Sequence, residues 1–196
     1  MRDVILGILE AGITVKRNCV ESNVDGIIKA ADMLADCVAA GGKVMLFGNG
    51  GSAADAQHLA AEFVNRFQIE RPPLACIALT TDASILTSIA NDYQFDDIFS
   101  KQIRALGKKE DVAWGLSTSG NSPNVVKAVK SARKLGMSTI GMTGRGGELA
   151  KCADLVLTVD SDTTARIQET HITLGHILCE LVDRKLYPNH FQKAKT

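Results

Sequence analysis

The chain has no surplus of charge of either sign. Its 196 residues carry 22 Lys and Arg against 22 Asp and Glu, so no basic field is available to draw in nucleic acid or anionic lipid. No apolar run approaches the length of a membrane span, and the N-terminus lacks the basic-then-apolar pattern of a secretory signal. The cytoplasm is therefore the expected compartment. The five cysteines, Cys19, Cys37, Cys76, Cys152 and Cys179, are odd in number and show no C-x-x-C spacing, which points to reduced, mostly buried thiols. None stands in a loop beside an activating neighbour. Internal repeats, low-complexity segments and linkers are missing too. With 45% apolar residues, the length suits one well-buried domain over residues 1–196.

What is present centres on residues 43–62, K-V-M-L-F-G-N-G-G-S-A-A-D-A-Q-H-L-A-A-E. Residues 44–47 form an unbroken apolar run that suits a buried strand of a parallel sheet. Gly48, Gly50 and Gly51 follow, where a chain can turn tightly and a ligand can come close. Ser52 stands where an N-cap belongs, and the free amides of the helix behind it suit an anion such as a phosphate. The glycine order fits neither the dinucleotide fingerprint nor the P-loop with its Lys-Ser/Thr ending. An ordinary strand-to-helix turn would use the same glycines. On the helix, His58 and Glu62 are four residues apart and project from one face.

Residues before Gly41 read as two helices, whose apolar stripes run through Val4, Ile5, Ile8, Leu9 and Ile13 and then through Ile27, Ile28, Ala31, Leu34, Ala35 and Val38. The first has no strand to cross over from, so its stripe is expected to pack on another subunit, residues 1–40 serving oligomerisation. Further strands are expected over residues 74–79, 112–116, 139–142 and 155–159. Helices are expected over residues 83–90, capped by Asp82, then 98–106, 125–135 behind Pro123, and 165–185. A glycine turn spans 144–147, and Pro188 opens a loose tail. This alternation predicts an α/β fold, a doubly wound five-stranded parallel sheet flanked by helices with an N-terminal helical extension. Ligands of such sheets sit at the carboxyl ends of the strands, near the reversal of strand order.

A second candidate anion site is S-T-S-G-N-S. Ser117, Thr118, Ser119 and Ser122 bring four hydroxyls beside a helix N-terminus, with Gly120 allowing close approach. Hydroxyls and backbone amides can satisfy several phosphate oxygens without a lysine or a metal. Helix capping alone would account for one of the four. In the last helix, Gln168, His171 and His176 stand among Ile167, Ile172, Leu174 and Ile177; a single helical histidine is more often a satisfied core or surface residue.

With G-N-G-G-S-A-A-D-A-Q-H at residues 48–58, A-N-D at 90–92, S-T-S-G-N-S at 117–122, and R-I-Q-E at 166–169 with the later His176, the sequence resembles the SIS (sugar isomerase) domain proteins. Within them it resembles the phosphoheptose isomerases, over essentially the whole chain. The resemblance implies a flavodoxin-like strand order and conversion of sedoheptulose 7-phosphate to D-glycero-D-manno-heptose 7-phosphate, a precursor for lipopolysaccharide. It also implies a homotetramer with sites at subunit interfaces, and one zinc ion per subunit bound by His58, Glu62, Gln168 and His176. Substrate contacts are implied at Asn49, Gly50, Gly51, Ser52, Glu62, Asn91, Asp92, Ser117, Thr118, Ser119, Ser122 and Gln168, with Glu62 and His176 as catalytic base and acid. Some members carry an aspartate just before R-I-Q-E, where this chain has Ala165.

Moving a proton between adjacent carbons through an enediol needs a base over the carbon and an acid near the oxygens. Glu62 and His176 suit those tasks, although a carboxylate bound to zinc is a poorer base. Eight helical residues separate Gln168 from His176, about 12 Å of rise, so the two are expected to serve sites in different subunits. Glu62 and His176 are expected to meet through oligomerisation. The competing reading is a non-catalytic scaffold binding the replication initiator DnaA, which the sequence resembles around residues 73–82 and at R-I-Q-E. A scaffold has no physical use for an acid-base pair.

Overall fold

The computed structural model describes residues 1–191. The elements follow in the order α1 (Arg2–Ala39), β1 (Val44–Gly48), α2 (Gly51–Val64), β2 (Cys76–Ala78), α3 (Ala83–Asp92), α4 (Ile98–Leu106), β3 (Val112–Ser117), α5 (Pro123–Lys134), β4 (Ser138–Thr143), α6 (Glu148–Cys152), β5 (Leu155–Thr158) and α7 (Thr164–Leu186). Short 3-10 turns cover Phe95–Asp97 and Pro188–Phe191. The expected loose tail after Pro188 thus begins as a helical turn, and residues 192–196 lie outside the described residues.

All five strands pair in parallel in the order β2-β1-β3-β4-β5. This is the doubly wound, flavodoxin-like order. Alternation along each strand divides the core between the two faces. Val44, Leu46, Trp114 and Leu116 pack with residues of α1, α2 and α7. Met45, Phe47 and Ala113 pack with residues of α4 and α5. Asp111 pins the starts of β1 and β3, accepting from the backbone N–H of Lys43 (2.9 Å) and of Lys108 (2.8 Å). Burial pushes its carboxyl up, but the Lys43 ammonium and these amides outweigh that and hold it below the usual carboxylate range.

The N-terminal pair of helices is in fact one helix of 38 residues. The stripe does not lapse between its two clear stretches: Cys19 is buried and donates its Sγ–H to the Thr158 carbonyl, while Val15 and Val20 pack on the core. Gly12 and Gly26 do not break the helix because they are close-approach points, facing Glu169 and Leu157. The second strand is shorter than expected, Cys76–Ala78, and between the 144–147 turn and β5 stands α6, which no sequence signal marked.

The chain passes from β1 outward to β2 and then returns to β3 on the other side of β1. The loops leaving β1 and β3 therefore flank the switch point, where ligands of this architecture bind.

Candidate active site

The loop after β1 is shaped by two glycines. A Cβ on Gly48 would stand 2.8 Å from the Ser52 Cβ and 2.9 Å from the Leu116 carbonyl oxygen. Gly50 has φ 56° and is itself the N-cap of α2, so Ser52 is not the cap as expected. It lies inside the first turn, 3% exposed. Gly50 takes the cap because only glycine enters that backbone conformation without strain, and the Ser52 and Ala53 amides turn back to the Asn49 and Gly50 carbonyls at 3.0 Å.

The loop after β3 is braced against its neighbours. Ser117 and Ser122 hydroxyls lie 2.8 Å apart, Ser117 and Ser119 hydroxyls 3.4 Å apart, and Ser119 Oγ accepts from the Asn121 N–H at 3.1 Å. Ser122 is the N-cap residue of α5, with Pro123 in the first position, yet its hydroxyl serves Ser117 and no cap bond. Thr118 is half-buried, its carbonyl taking the Gly144 N–H at 3.0 Å. Gly120 has φ +67°, and a Cβ there would fall 1.7 Å from the Gly146 carbonyl oxygen. The β4–α6 turn thus supports the hydroxyl loop from below.

The two loops are joined by a residue the motif reading passed over. Asn49 and Asn124 exchange amide hydrogen bonds at 2.9 and 2.8 Å, while Asn124 Oδ1 also accepts from the Val125 N–H. The Asn49 side chain therefore fixes one loop against the other. The signal was the asparagine directly after Pro123, in the first turn of a helix facing a glycine loop.

Helices α2 and α7 lie side by side and run in the same direction. The Gln168 amide sits over Gly51, its Nε2 2.5 Å from where a Cβ would stand, and one stage further along Leu59 crowds Gly175 at 2.6 Å. Beyond that contact, His58 Nε2 and His176 Nε2 are 2.9 Å apart, and His58 Nε2 is 3.3 Å from Glu62 Oε1. One ligand atom from each of His58, Glu62 and His176 lies within 4.8 Å of the others. Glu62 and His176 meet within one chain, then, and do not depend on oligomerisation to do so. Their helices are parallel neighbours, which 114 residues of sequence separation hid.

Other expected residues lie elsewhere. Gln168 stays at the α2 N-terminus, and His171 is fully buried, its Nε2 3.2 Å from the Thr143 carbonyl oxygen. Asn91 and Asp92 end α3, a helix with no buried residue, and Asn91 donates to Asp92 at 2.8 Å. No hydrogen bond among the described residues ties them to either loop or to the histidines. Ala165 is exposed at the start of α7.

The surroundings of the cluster are asymmetric. The His58 side chain is 49% exposed and that of Glu62 22%. Phe67 stacks on His176 with ring centroids 5.4 Å apart and planes at 27°. Burial pushes His176 below the ordinary imidazole value, the neighbouring His58 adds to this, and Glu62 opposes it. Asp55, one turn before His58, has Oδ2 buried without a hydrogen-bond partner among the described residues. Burial raises its carboxyl, with His58 opposing. Two imidazole nitrogens and a carboxylate oxygen converging this closely form a donor set that suits zinc, among other divalent ions.

A doubly wound sheet with a glycine loop and a hydroxyl loop flanking its switch point and a His-Glu-His group on the flanking helices defines a domain of the sugar isomerase type. The SIS domain family model matches residues 9–144. The chain belongs to the phosphoheptose isomerase family of SIS domain proteins. It is 53% identical over 189 residues to the phosphoheptose isomerase of Nitratidesulfovibrio vulgaris strain Hildenborough, covering 96% of this chain and 91% of that one. The solved phosphoheptose isomerase of Neisseria gonorrhoeae superposes with a TM-score of 0.88 at 45% identity, covering 93% of this chain and 98% of its own. That of Francisella tularensis gives 0.89 at 40% identity, covering 93% and 97%.

Proposed function

We infer that this chain is an aldose-ketose isomerase that converts sedoheptulose 7-phosphate to D-glycero-D-manno-heptose 7-phosphate, supplying heptose precursors of lipopolysaccharide in the cytoplasm. The observation that carries the reading is the convergence of Glu62 and His176, with His58, in a single group. The DnaA-binding scaffold gives no reason for that group, and the relatives above bear isomerase names.

The substrate phosphate is held by the hydroxyls of Ser117, Thr118, Ser119 and Ser122 and by the backbone of Asn49, Gly50, Gly51 and Ser52. Anion binding by helix-terminal amides supports this. Gln168, over Gly51, contacts the sugar. Glu62 takes the proton from C1 of the open-chain ketose and returns one to C2. His176 moves the proton between the two oxygens of the enediol. A depressed imidazole suits that task, because a neutral ring keeps one N–H that it can give to one oxygen and recover from the other.

His58, Glu62 and His176 would hold zinc, which when bound polarises the substrate carbonyl. Gln168 lies about 12 Å of helix away from His176, so as a fourth ligand it would reach the ion of a neighbouring subunit. The half-exposed His58 supports the same view, since an acid-base site this open to water gains from a covering partner. Asn91 and Asp92, on the exposed end of α3, would contribute across such an interface in a homotetramer.

The test is to incubate purified protein with sedoheptulose 7-phosphate and look for the aldoheptose phosphate, with and without a chelator. Product is expected, with loss on chelation and recovery on adding zinc. A folded, zinc-supplied protein that forms none would refute the reading.

A further inference from the structure

The segment between α2 and β2, residues 65–75, reaches the site from behind with two side chains. Arg71 and Asp183 form an ion pair whose side chains are 2% and 1% exposed. Arg71 Nε donates to Asp183 Oδ1 at 2.9 Å, Nη1 to the Phe63 carbonyl at 2.7 Å, and Nη2 to the Glu62 carbonyl at 2.8 Å. Those carbonyls belong to the last turn of α2, where intrahelical amide partners run out. Asp183 lies on α7, two turns beyond His176. A single guanidinium thus ties the end of the helix bearing Glu62 to the helix bearing His176. Four residues before it in the same segment, Phe67 stacks on the His176 ring.

A stabilising anchor is the plain alternative. Buried ion pairs are poor stabilisers, however, and an apolar pair of similar volume commonly serves as well. Asp183 Oδ2 is also left buried without a partner among the described residues, a further cost with no return in stability. What the guanidinium supplies, and an apolar contact or a lysine does not, is a rigid planar fork with donors aimed in three directions.

We propose that Arg71 is a positioning residue for the isomerisation. It sets α2 and α7 in the register that keeps Glu62 beside His176, and it fixes the segment through which Phe67 holds the imidazole plane. For its kinetic readout the proposal rests on the isomerase reading above. Arg71→Lys keeps a cation near Asp183 but loses the fork. Its kcat is expected to fall about tenfold or more while KM stays within about twofold, because misplaced catalytic groups cost rate and the phosphate loops do not touch Arg71.

A second readout needs no turnover. The chain has four histidines, so the side-chain NMR signals of His176 can be assigned in metal-free protein with His176→Gln. At one fixed pH these signals are expected to move in Arg71→Lys and in Phe67→Leu, while the amide signals of β3 and β4 stay in place. Arg71→Met/Asp183→Leu removes both buried charges together and is expected to fold with the same loss of kcat. If neither Arg71 variant folds, Phe67→Leu, which leaves the ion pair intact, decides through the same kcat loss, since losing the stacked ring moves the His176 signals by itself. Wild-type kcat in a folded variant, or unmoved His176 signals, would overturn the proposal. Moved signals in a protein that never isomerises the sugar would sustain the positioning role and sink the isomerase reading alone.

Discussion

His171 and His176 are five residues apart on one helix, and their environments separate them completely. His176 joins His58 and Glu62 at a half-open surface, whereas His171 is sealed in the core and its pKa is pushed down to about 4 by burial, against the opposing bond to Thr143. Because the folded state binds the proton less readily than the unfolded chain, His171 supports full stability above about pH 6.5. That support is lost as pH falls from 6.5 through 4, with an upper size of about 3 kcal/mol. Urea midpoints should drop over this window in the native chain and drop less in His171→Met, where the Thr143 carbonyl keeps the Val159 N–H. Parallel curves would contradict it. Only the family resemblance separated the two histidines in the sequence, naming His176; helical periodicity leaves a half-buried and a fully buried position alike. Ser52 was misassigned for a related reason: residue preference names a cap, but Gly50 took the position through a backbone angle that preference does not encode.

Among the elements, α2 and α7 make the site, and their contact is governed by Gly175. A Cβ there would stand 2.6 and 2.7 Å from the two methyls of Leu59, which is fully buried and cannot swing away. Gly175→Ala should therefore cost about 1–3 kcal/mol by overpacking. It should also lower kcat by spreading the helices at the turn that carries His176. Chemical denaturation and steady-state kinetics check the two effects, and a variant that is unchanged in both would contradict the packing account. Helix α5 and strands β1, β3 and β4 were readable almost to the residue, because apolar runs bounded by glycine, proline and hydroxyls carry their own punctuation. The parallel pairing of α2 with α7 was not. No local signal specifies which helices share a face across more than a hundred residues, so the meeting of Glu62 with His176 was assigned to a second subunit.

For the whole molecule, the alternation of strands and helices was enough to indicate a doubly wound sheet with ligand loops at its switch point. The length of α1 was not, since two stripes of one helix look like two helices when the stretch between is weakly apolar. Its outer part leaves Val4, Ile5, Ile8 and Leu9 more than half exposed, an apolar stripe that calls for cover. Ile5→Asp/Leu9→Asp should lower the mass found by light scattering and lower activity with it, whereas a native chain that is monomeric and fully active would refute the assembly. The central claim is proton transfer by Glu62 beside His176, and its most direct measurement is NMR of sedoheptulose 7-phosphate turnover in D2O. The native protein should yield aldoheptose 7-phosphate carrying deuterium at C2, and folded Glu62→Gln should yield none; a Glu62→Gln protein that keeps most of the native rate would contradict the account.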